Sequence, residues 1–237
     1  MCIRDRDEIQ RLGCDVIRVT LSPHELANFD GSLRDTPNLR TLDYLMAQCR
    51  QRGIYYYFAF INELGASDKN VAGTLMEHPD GGRKIDYYSW LLDPDFIQRS
   101  QVYIGNLLTR KNRYDGLRMI DDPAFCIAEL VNEPHTPDVD DPEAPFHQYY
   151  ILWLKSKALS NTAENFQLWR KEYTLEYINQ MCDFLERLGC RAPAAWSHKW
   201  SMAIRHNGGD AEWLASLASK VPAVCFSTYP TQGTVYN

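Results

Sequence analysis

The feature of this sequence that most constrains its fold is a repeated joint, in which a helix ends at a glycine and an apolar strand follows. The joint occurs three times, as IQRLGCDVIRV, CRQRGIYYYF and LERLGCRAPAAW, at residues 9–19, 49–58 and 185–196. Glycine readily adopts the left-handed conformation that ends many helices. Helices that alternate with strands predict βαβ units and a parallel sheet with right-handed connections.

Five runs have the composition of strands that are buried on both faces, because they are almost continuously apolar and rich in Val, Ile, Tyr and Phe. These runs are residues 14–20, 54–61, 124–131, 192–197 and 223–229. Apolar residues at helical spacing, with Asp caps and terminal glycines, predict helices between them. The predicted helices are residues 41–53, 93–111, 168–189 and 210–220. The sequence therefore belongs to the α/β class.

Composition excludes several classes of protein. A chain of 237 residues that is 45 % hydrophobic can bury one large core or two small ones. The net charge is −6 and the basic residues are scattered, so we expect neither a nucleic-acid partner nor a membrane partner. The longest apolar run, residues 54–61, is far shorter than the roughly 20 residues that span a bilayer. No apolar signal segment opens the chain, which leaves its localisation open.

Cofactor and metal motifs are also missing from the sequence. No glycine-rich phosphate loop follows any of the apolar runs, so nucleotide binding is not supported. The seven cysteines include no CxxC pair, and the six histidines include no HxH or HExxH pattern. We therefore expect no cofactor, no metal site and no disulfide framework, and we interpret the cysteines as buried free thiols.

Polar residues concentrate where the predicted strands end. They are Arg18 and Thr20, Asn62 and Glu63, Asn132 and Glu133, Ser197 and His198, and Ser227 and Tyr229. Open doubly wound sheets and closed (β/α)8 barrels both place their sites at the carboxyl ends of parallel strands. Polar ends on five successive strands favour the mouth of a barrel over a single crevice.

The stretch CIAELVNEPH, residues 126–135, ends an apolar strand in an amide and a carboxylate. Pro134 cannot continue a ladder of backbone hydrogen bonds, so the strand stops there and holds Glu133 at the rim. Apolar surroundings favour the protonated form of a carboxylic acid, as general acid catalysis requires. Asn132 can offer its amide to a sugar hydroxyl.

This stretch resembles the fourth strand of the clan A glycoside hydrolases, close to family 5 and its cellulase-like members, through the residues DDPAFCIAELVNEP. The resemblance implies that Glu133 is the general acid/base and that Asn132 contacts the sugar 2-hydroxyl. CDVIRVTLSP resembles the second strand of these enzymes, and AVCFSTYP resembles the sixth. Arg18 and Tyr229 then correspond to the residues that orient the nucleophile.

The chain departs from the family at two strand ends, where Asn62 and Ser227 stand in place of histidines. In this clan the nucleophile ends the seventh strand, and counting from Arg18 makes residues 223–229 the sixth. We therefore expect one incomplete TIM barrel over residues 1–237, without strand 1, strands 7–8 and the nucleophile, and inactive by itself. The first six residues resemble an assembly artefact, and the long connections 63–92 and 134–165 are expected to line the rim.

These observations predict a retaining glycoside hydrolase that acts on β-linked glycosides or polysaccharides, with a carbohydrate as its partner. A non-catalytic carbohydrate-binding barrel and a metal-dependent barrel hydrolase are the alternatives. Glu129, four residues before Glu133, is interpreted as a structural partner of Arg18 or of a neighbouring strand, and a second catalytic carboxylate is the other possibility.

Asn62, at the end of the third strand of the proposed barrel, and three further residues are predicted to bind substrate. Trp196 and Trp200 could stack on sugar rings, although a large aromatic side chain at a strand end is as often part of the core. His198 follows the fifth strand of the proposed barrel and could line the site.

Overall fold

The computed structural model describes residues 11–62, 68–86, 88–134, 136–137, 140–199, 221 and 223–227, with the backbone alone for 68, 198, 199 and 223–227. One five-stranded sheet organises this part of the chain, and all of its neighbouring strands are parallel. The strands are β1 (Val16–Thr20), β2 (Tyr55–Ile61), β3 (Phe125–Val131), β4 (Ala194–Lys199) and β5 (Ala223–Ser227). All five predicted strands and the α/β class are confirmed.

The order of the strands in the sheet, β1-β2-β3-β4-β5, is their order along the chain. Every connection between the described strands therefore moves in the same direction across the sheet. Doubly wound sheets reverse this direction at a switch point, where their ligands bind. The described strands show no such reversal.

Five α-helices accompany the sheet in the described residues. They are α1 (Pro23–Leu26), α2 (Pro37–Gln51), α3 (Pro94–Thr109), α4 (His147–Lys157) and α5 (Ala163–Leu188). As predicted, Asp93 caps α3 by accepting from two backbone N–H groups, and Pro94 opens its first turn. No helix in the described part of the chain is long and apolar enough to cross a bilayer.

Helix boundaries differ from the predictions at their N-termini. The helix predicted over 41–53 begins at Pro37, and the one predicted over 168–189 begins at Ala163, because threonine caps precede both starts. The three joint glycines, Gly13, Gly53 and Gly189, all have positive φ, which confirms the glycine stops. The helix predicted over 210–220 lies outside the described residues.

The connection over 134–165 is not a loop throughout, because the eleven-residue helix α4 lies inside it. The buried residues of α4 are Tyr150 and Leu154. Two buried positions are too few to give the sequence a clear helical spacing of apolar residues. Aromatic contacts from outside the helix complete its buried face, since the Tyr150 ring lies 5.0 Å from Phe166 and 5.2 Å from Trp169 of α5. These contacts join residues that sequence periodicity does not connect.

One face of the sheet packs against helices. Helix α2 lies against β2 and α5 against β4, where the Trp196 ring lies 6.1 Å from Tyr177. Tyr56 and Phe58 of β2 are also fully buried. Cys49 on α2 is buried as predicted, whereas Cys14 is exposed because β1 begins two residues after it.

A bulge in β3 sets which of its side chains share a face with β1. Tyr56 pairs with Phe125 and Tyr57 with Ile127, so Cys126 is the extra residue in β3. From there the register brings Ala59 opposite Glu129, while Arg18 lies opposite Tyr57. Because paired residues of a parallel ladder lie on the same face, Arg18 and Glu129 point to the same side of the sheet.

The N-terminal end of β3 is held by Asp122, the second aspartate of the DDPA motif. This buried carboxylate accepts hydrogen bonds from the Tyr56 hydroxyl (2.8 Å), the Arg50 guanidinium (2.6 Å) and the Ala124 N–H (2.9 Å). Burial, together with the Asp122 charge beside it, raises the pKa of the Tyr56 hydroxyl, so this group stays protonated and donates. The start of β3 is therefore tied to both β2 and α2.

A pair of glycine substitutions tests how closely the loop at Gly31 approaches α3. Gly31 has φ +83°, and a Cβ there would lie 2.4 Å from the Arg99 carbonyl oxygen. Gly189 has φ +82°, and a Cβ there would meet nothing within 4 Å. Both Ala variants lose about 1 kcal/mol through the left-handed backbone, and Gly31→Ala loses at least about 2 kcal/mol more through the clash. Urea unfolding of both variants measures the difference, and equal losses would contradict the close approach.

Candidate active site

A chain of hydrogen-bonded side chains joins β1 to the C-terminal ends of β2 and β3. Arg18 of β1 donates from Nε to Oε2 of Glu129 (2.8 Å) and from Nη2 to Oε1 (2.5 Å). The same Nη2 donates to Oδ1 of Asn132 at 2.7 Å. The Nδ2 of Asn132 then donates to Oδ1 of Asn62 at 3.0 Å. The structure thus brings together the predicted residues Arg18, Asn62 and Asn132.

The pair of Arg18 and Glu129 holds this chain in place. Glu129 is fully buried, and a buried carboxylate needs a charged partner, which the two-pronged guanidinium supplies. About a third of the Arg18 side chain, 32 %, stays exposed. The prediction that Glu129 is a structural partner of Arg18 is confirmed.

The arginine also determines how the Asn132 amide is oriented. A guanidinium only donates hydrogen bonds, so the oxygen of the Asn132 amide must face Arg18. The amide nitrogen consequently faces Asn62. An NH2 group carries two hydrogens, and the bond to Asn62 uses one of them. The site therefore presents an amide donor whose direction is set by its neighbours.

The backbone around Asn132 continues the ladder past the end of β3. The N–H of Asn132 donates to the Ile61 carbonyl at 2.9 Å, and the N–H of Asn62 donates to the Leu21 carbonyl at 2.9 Å. Asn132 and Asn62 are therefore fixed through the main chain as well as through their side chains.

Glu133 adopts a left-handed backbone conformation, with φ 45°. Among the described residues, Ala158 at the end of α4 is the other non-glycine residue with positive φ. Such a conformation costs about 1–3 kcal/mol and persists when the surrounding structure imposes it. The Glu133 residue is 3 % exposed. The strand thus ends in a turn that holds a buried carboxyl group beside Asn132.

Trp196 lies away from these residues, contrary to its prediction as a sugar contact. Ala195 pairs with Glu129, so the next residue, Trp196, points to the opposite face of the sheet. There it is fully buried against Tyr177 of α5. The structure therefore places Trp196 in the core between sheet and helix, the alternative that the sequence left open.

The other predicted substrate contacts are described in part or not at all. His198 lies in β4, with its backbone paired to Phe226 of β5, and its side chain is outside the described atoms. Trp200 and Tyr229 lie outside the described residues, and their roles stay predictions. Within the described residues, no group of three or more His, Cys, Asp or Glu side chains is placed to hold a metal ion.

Two buried residues, joined by a hydrogen bond across the segment that follows Glu133, escaped the sequence predictions. The Nη2 of Arg170, on α5, donates to Oγ1 of Thr136 at 2.7 Å. Arg170 is 2 % exposed and Thr136 is 6 % exposed. The sequence could have indicated that Arg170 is buried, because it lies three residues before Tyr173 and seven before Tyr177, on the buried face of the helix.

Sequence comparison finds relatives over part of the chain. Mannan endo-1,4-beta-mannosidase 2 of Arabidopsis thaliana is 28 % identical over 96 residues, and the protein of the same name from Oryza sativa subsp. japonica is 30 % identical over 96 residues. Each match covers 40 % of this chain and 22 % of the relative, so the matched segment spans about a fifth of their length. No protein-family model matches the chain.

Solved structures share the fold over nearly the whole chain. The endo-1,4-beta-mannanase from Rhizomucor miehei superposes with a TM-score of 0.57 and 15 % identity, covering 97 % of this chain and 73 % of that one. The beta-galactosidase from Bacillus circulans sp. alkalophilus superposes with a TM-score of 0.62 and 16 % identity, covering 100 % and 39 %. At such low identity these matches show the fold alone.

Removal of the buried charge tests the importance of the Arg18–Glu129 pair for stability. Glu129→Gln leaves Arg18 without its anionic partner, and we expect a loss of about 2–3 kcal/mol in the free energy of unfolding. This value is below that of a fully buried pair because Arg18 is partly exposed. Asp35→Asn is the control, since Asp35 is 64 % exposed and bonded to Arg40 and Arg113, and we expect it to cost far less stability than Glu129→Gln. Equal losses in urea unfolding would contradict the assigned role.

Proposed function

We propose that this chain is part of a retaining glycoside hydrolase that acts on β-linked glycosides or polysaccharides. The resemblance to family 5 of the clan A glycoside hydrolases and the partial matches to mannan endo-1,4-beta-mannosidases support this proposal. The observation that carries the proposal is the buried Asn132–Glu133 pair at the end of a parallel strand, in which Arg18 orients the Asn132 amide. A carboxyl group and an oriented amide at the carboxyl ends of parallel strands are the parts that glycoside hydrolysis requires at this position.

Glu133 is proposed as the general acid and base. In the first step its carboxyl group protonates the glycosidic oxygen as the leaving group departs. In the second step the carboxylate removes a proton from the water that releases the sugar. Its buried position in a left-handed turn places the carboxyl group at the carboxyl end of β3, where the sites of parallel barrels lie.

Asn132 is proposed to bind the sugar 2-hydroxyl. Its amide nitrogen is turned away from Arg18 and keeps a second hydrogen for a ligand. Hydrogen bonds to this hydroxyl strengthen in the transition state and contribute to catalysis. Asn62 would then act through Asn132, because it accepts the other amide hydrogen.

The second carboxylate of a retaining enzyme lies about 5–5.5 Å from the first and attacks the anomeric carbon. We propose that this nucleophile lies outside the 237 residues, and that Arg18 and Tyr229 orient it. Arg18 is suited to this role because its guanidinium is fixed by Glu129 and still partly exposed. His198, Trp200 and the connection over 63–92 are proposed to line the cleft.

The whole chain is proposed to form one incomplete (β/α)8 barrel. The parallel strands follow one another in chain order, as they do around a barrel. Beside β1, at the edge of the described sheet, runs a groove of about 220 Å³ lined mainly by apolar side chains, among them Val19, Leu26, Leu42 and Leu45. A neighbouring strand and helix of a closed barrel would cover this groove.

The names of the sequence relatives suggest the first substrate to test. Both are mannan endo-1,4-beta-mannosidases, so we propose β-1,4-mannan as the polysaccharide substrate. A barrel without catalytic activity would bind mannan and leave it intact, which separates the two functions in one assay.

The acid/base role is tested with Glu133→Gln in a longer gene product that carries both proposed carboxylates. On aryl β-mannosides with poor leaving groups, kcat/KM should fall by about 10²–10⁴, because these groups need protonation to depart. On dinitrophenyl β-mannoside kcat/KM should change little, since this leaving group departs as an anion. Azide should restore kcat on the activated substrate, because it attacks without help from a base.

Glu186→Gln provides the control, since this exposed glutamate lies in the last turn of α5, outside the connections expected to line the rim. It should leave the rates on both substrates unchanged. Wild-type rates of Glu133→Gln on the poor leaving groups would refute the acid/base assignment. Binding of mannan by the wild-type protein without hydrolysis of any β-glycoside would support the non-catalytic carbohydrate-binding barrel instead.

A further inference from the structure

The turn that carries Glu133 needs restraint on both of its sides. On the N-terminal side, Asn132 is held by the Ile61 carbonyl and by Arg18. On the C-terminal side, Pro134 interrupts the ladder, so the strand cannot supply the restraint. A left-handed glutamate returns to an ordinary conformation unless both neighbours of the turn are fixed.

Arg170 supplies a contact on that second side. Its Nη2 donates to the Thr136 hydroxyl at 2.7 Å, three residues after Glu133. Its Nη1 donates to Oε1 of Gln167, one turn back on the same helix, at 2.7 Å. The two bonds use different nitrogens of one planar group, so the guanidinium has a fixed direction between α5 and the turn.

The part of α5 that carries Arg170 is tightly packed. Its helical neighbours Trp169 and Tyr173 are buried with their rings 4.8 Å apart. Burial of a cation costs free energy unless acceptors surround it, and the bonds to Thr136 and Gln167 supply two such acceptors.

We propose that Arg170 is a positioning residue, which acts through Thr136 to fix the far side of the turn and thereby the place of the Glu133 carboxyl group. The inference rests on the proposed function, because it assigns Arg170 to the acid step of that reaction. Loss of the bond lets the segment after Pro134 relax and moves the carboxyl group away from the leaving oxygen. Misplacement of a catalytic group by about 1 Å can cost about 10² in rate.

The test is Thr136→Val, which keeps the shape of the side chain and removes the acceptor for Arg170. In the longer gene product, kcat/KM on aryl β-mannosides with poor leaving groups should fall about tenfold. The rate on dinitrophenyl β-mannoside should stay within about twofold, because that substrate needs no proton. Thr136→Ser retains the hydroxyl and should recover most of the loss. Arg170→Lys, which lacks the planar fork, should resemble Thr136→Val.

Thr174→Val is the matched control, since it removes another buried threonine hydroxyl that contacts Arg170 without touching the turn. It should lower stability without changing the dependence of the rate on the leaving group. The inference is overturned if Thr136→Val slows both substrates equally, or if Thr174→Val shows the same selective loss. Glu133→Gln separates the two proposals. If Glu133→Gln loses kcat/KM selectively on the poor leaving groups and Thr136→Val does not, the positioning role of Arg170 alone is refuted. If Glu133→Gln shows no selective loss, the acid/base role of Glu133 and the positioning role of Arg170 are both refuted.

Discussion

The pairing of Arg18 with Glu129 is the interaction on which the site depends. It joins β1 to β3 across the intervening strand and neutralises a fully buried carboxylate. Because the guanidinium is then fixed and can only donate, it also determines the orientation of the Asn132 amide and, through it, the contact with Asn62. One charged pair thus organises residues from three parts of the chain.

Strand β3 connects this pair to the rest of the fold because it is restrained at both ends. Asp122 ties its beginning to Tyr56 and Arg50. The bulge at Cys126 brings Glu129 to the same face as Arg18. At the other end, hydrogen bonds to Asn132 and Thr136 bracket the left-handed turn of Glu133. A site on a strand held in this way is more rigid than one on a free loop.

The sequence predicted the five strands, the glycine stops and the presence of Arg18, Asn62 and Asn132 at one edge of the sheet, because the strand ends of a parallel sheet meet there. It missed helix α4, whose burial comes from the aromatic rings of α5. It also left open whether Trp196 contacts the sugar or lies in the core, since a continuously apolar strand does not reveal which of its side chains face a helix. Arg170 was missed because its partner lies 34 residues away.

The sequence by itself determined the alternation of helices and strands, the stop at Pro134 and the presence of Asn132 and Glu133 at a strand end. These properties are local, since they follow from apolar runs, caps and the missing N–H of proline. The sequence left the partner of Glu129 open between Arg18 and a neighbouring strand. Only the tertiary structure decided for Arg18, 111 residues away, and for the left-handed conformation of Glu133. Both depend on strand register and on packing between distant segments, which no local pattern encodes.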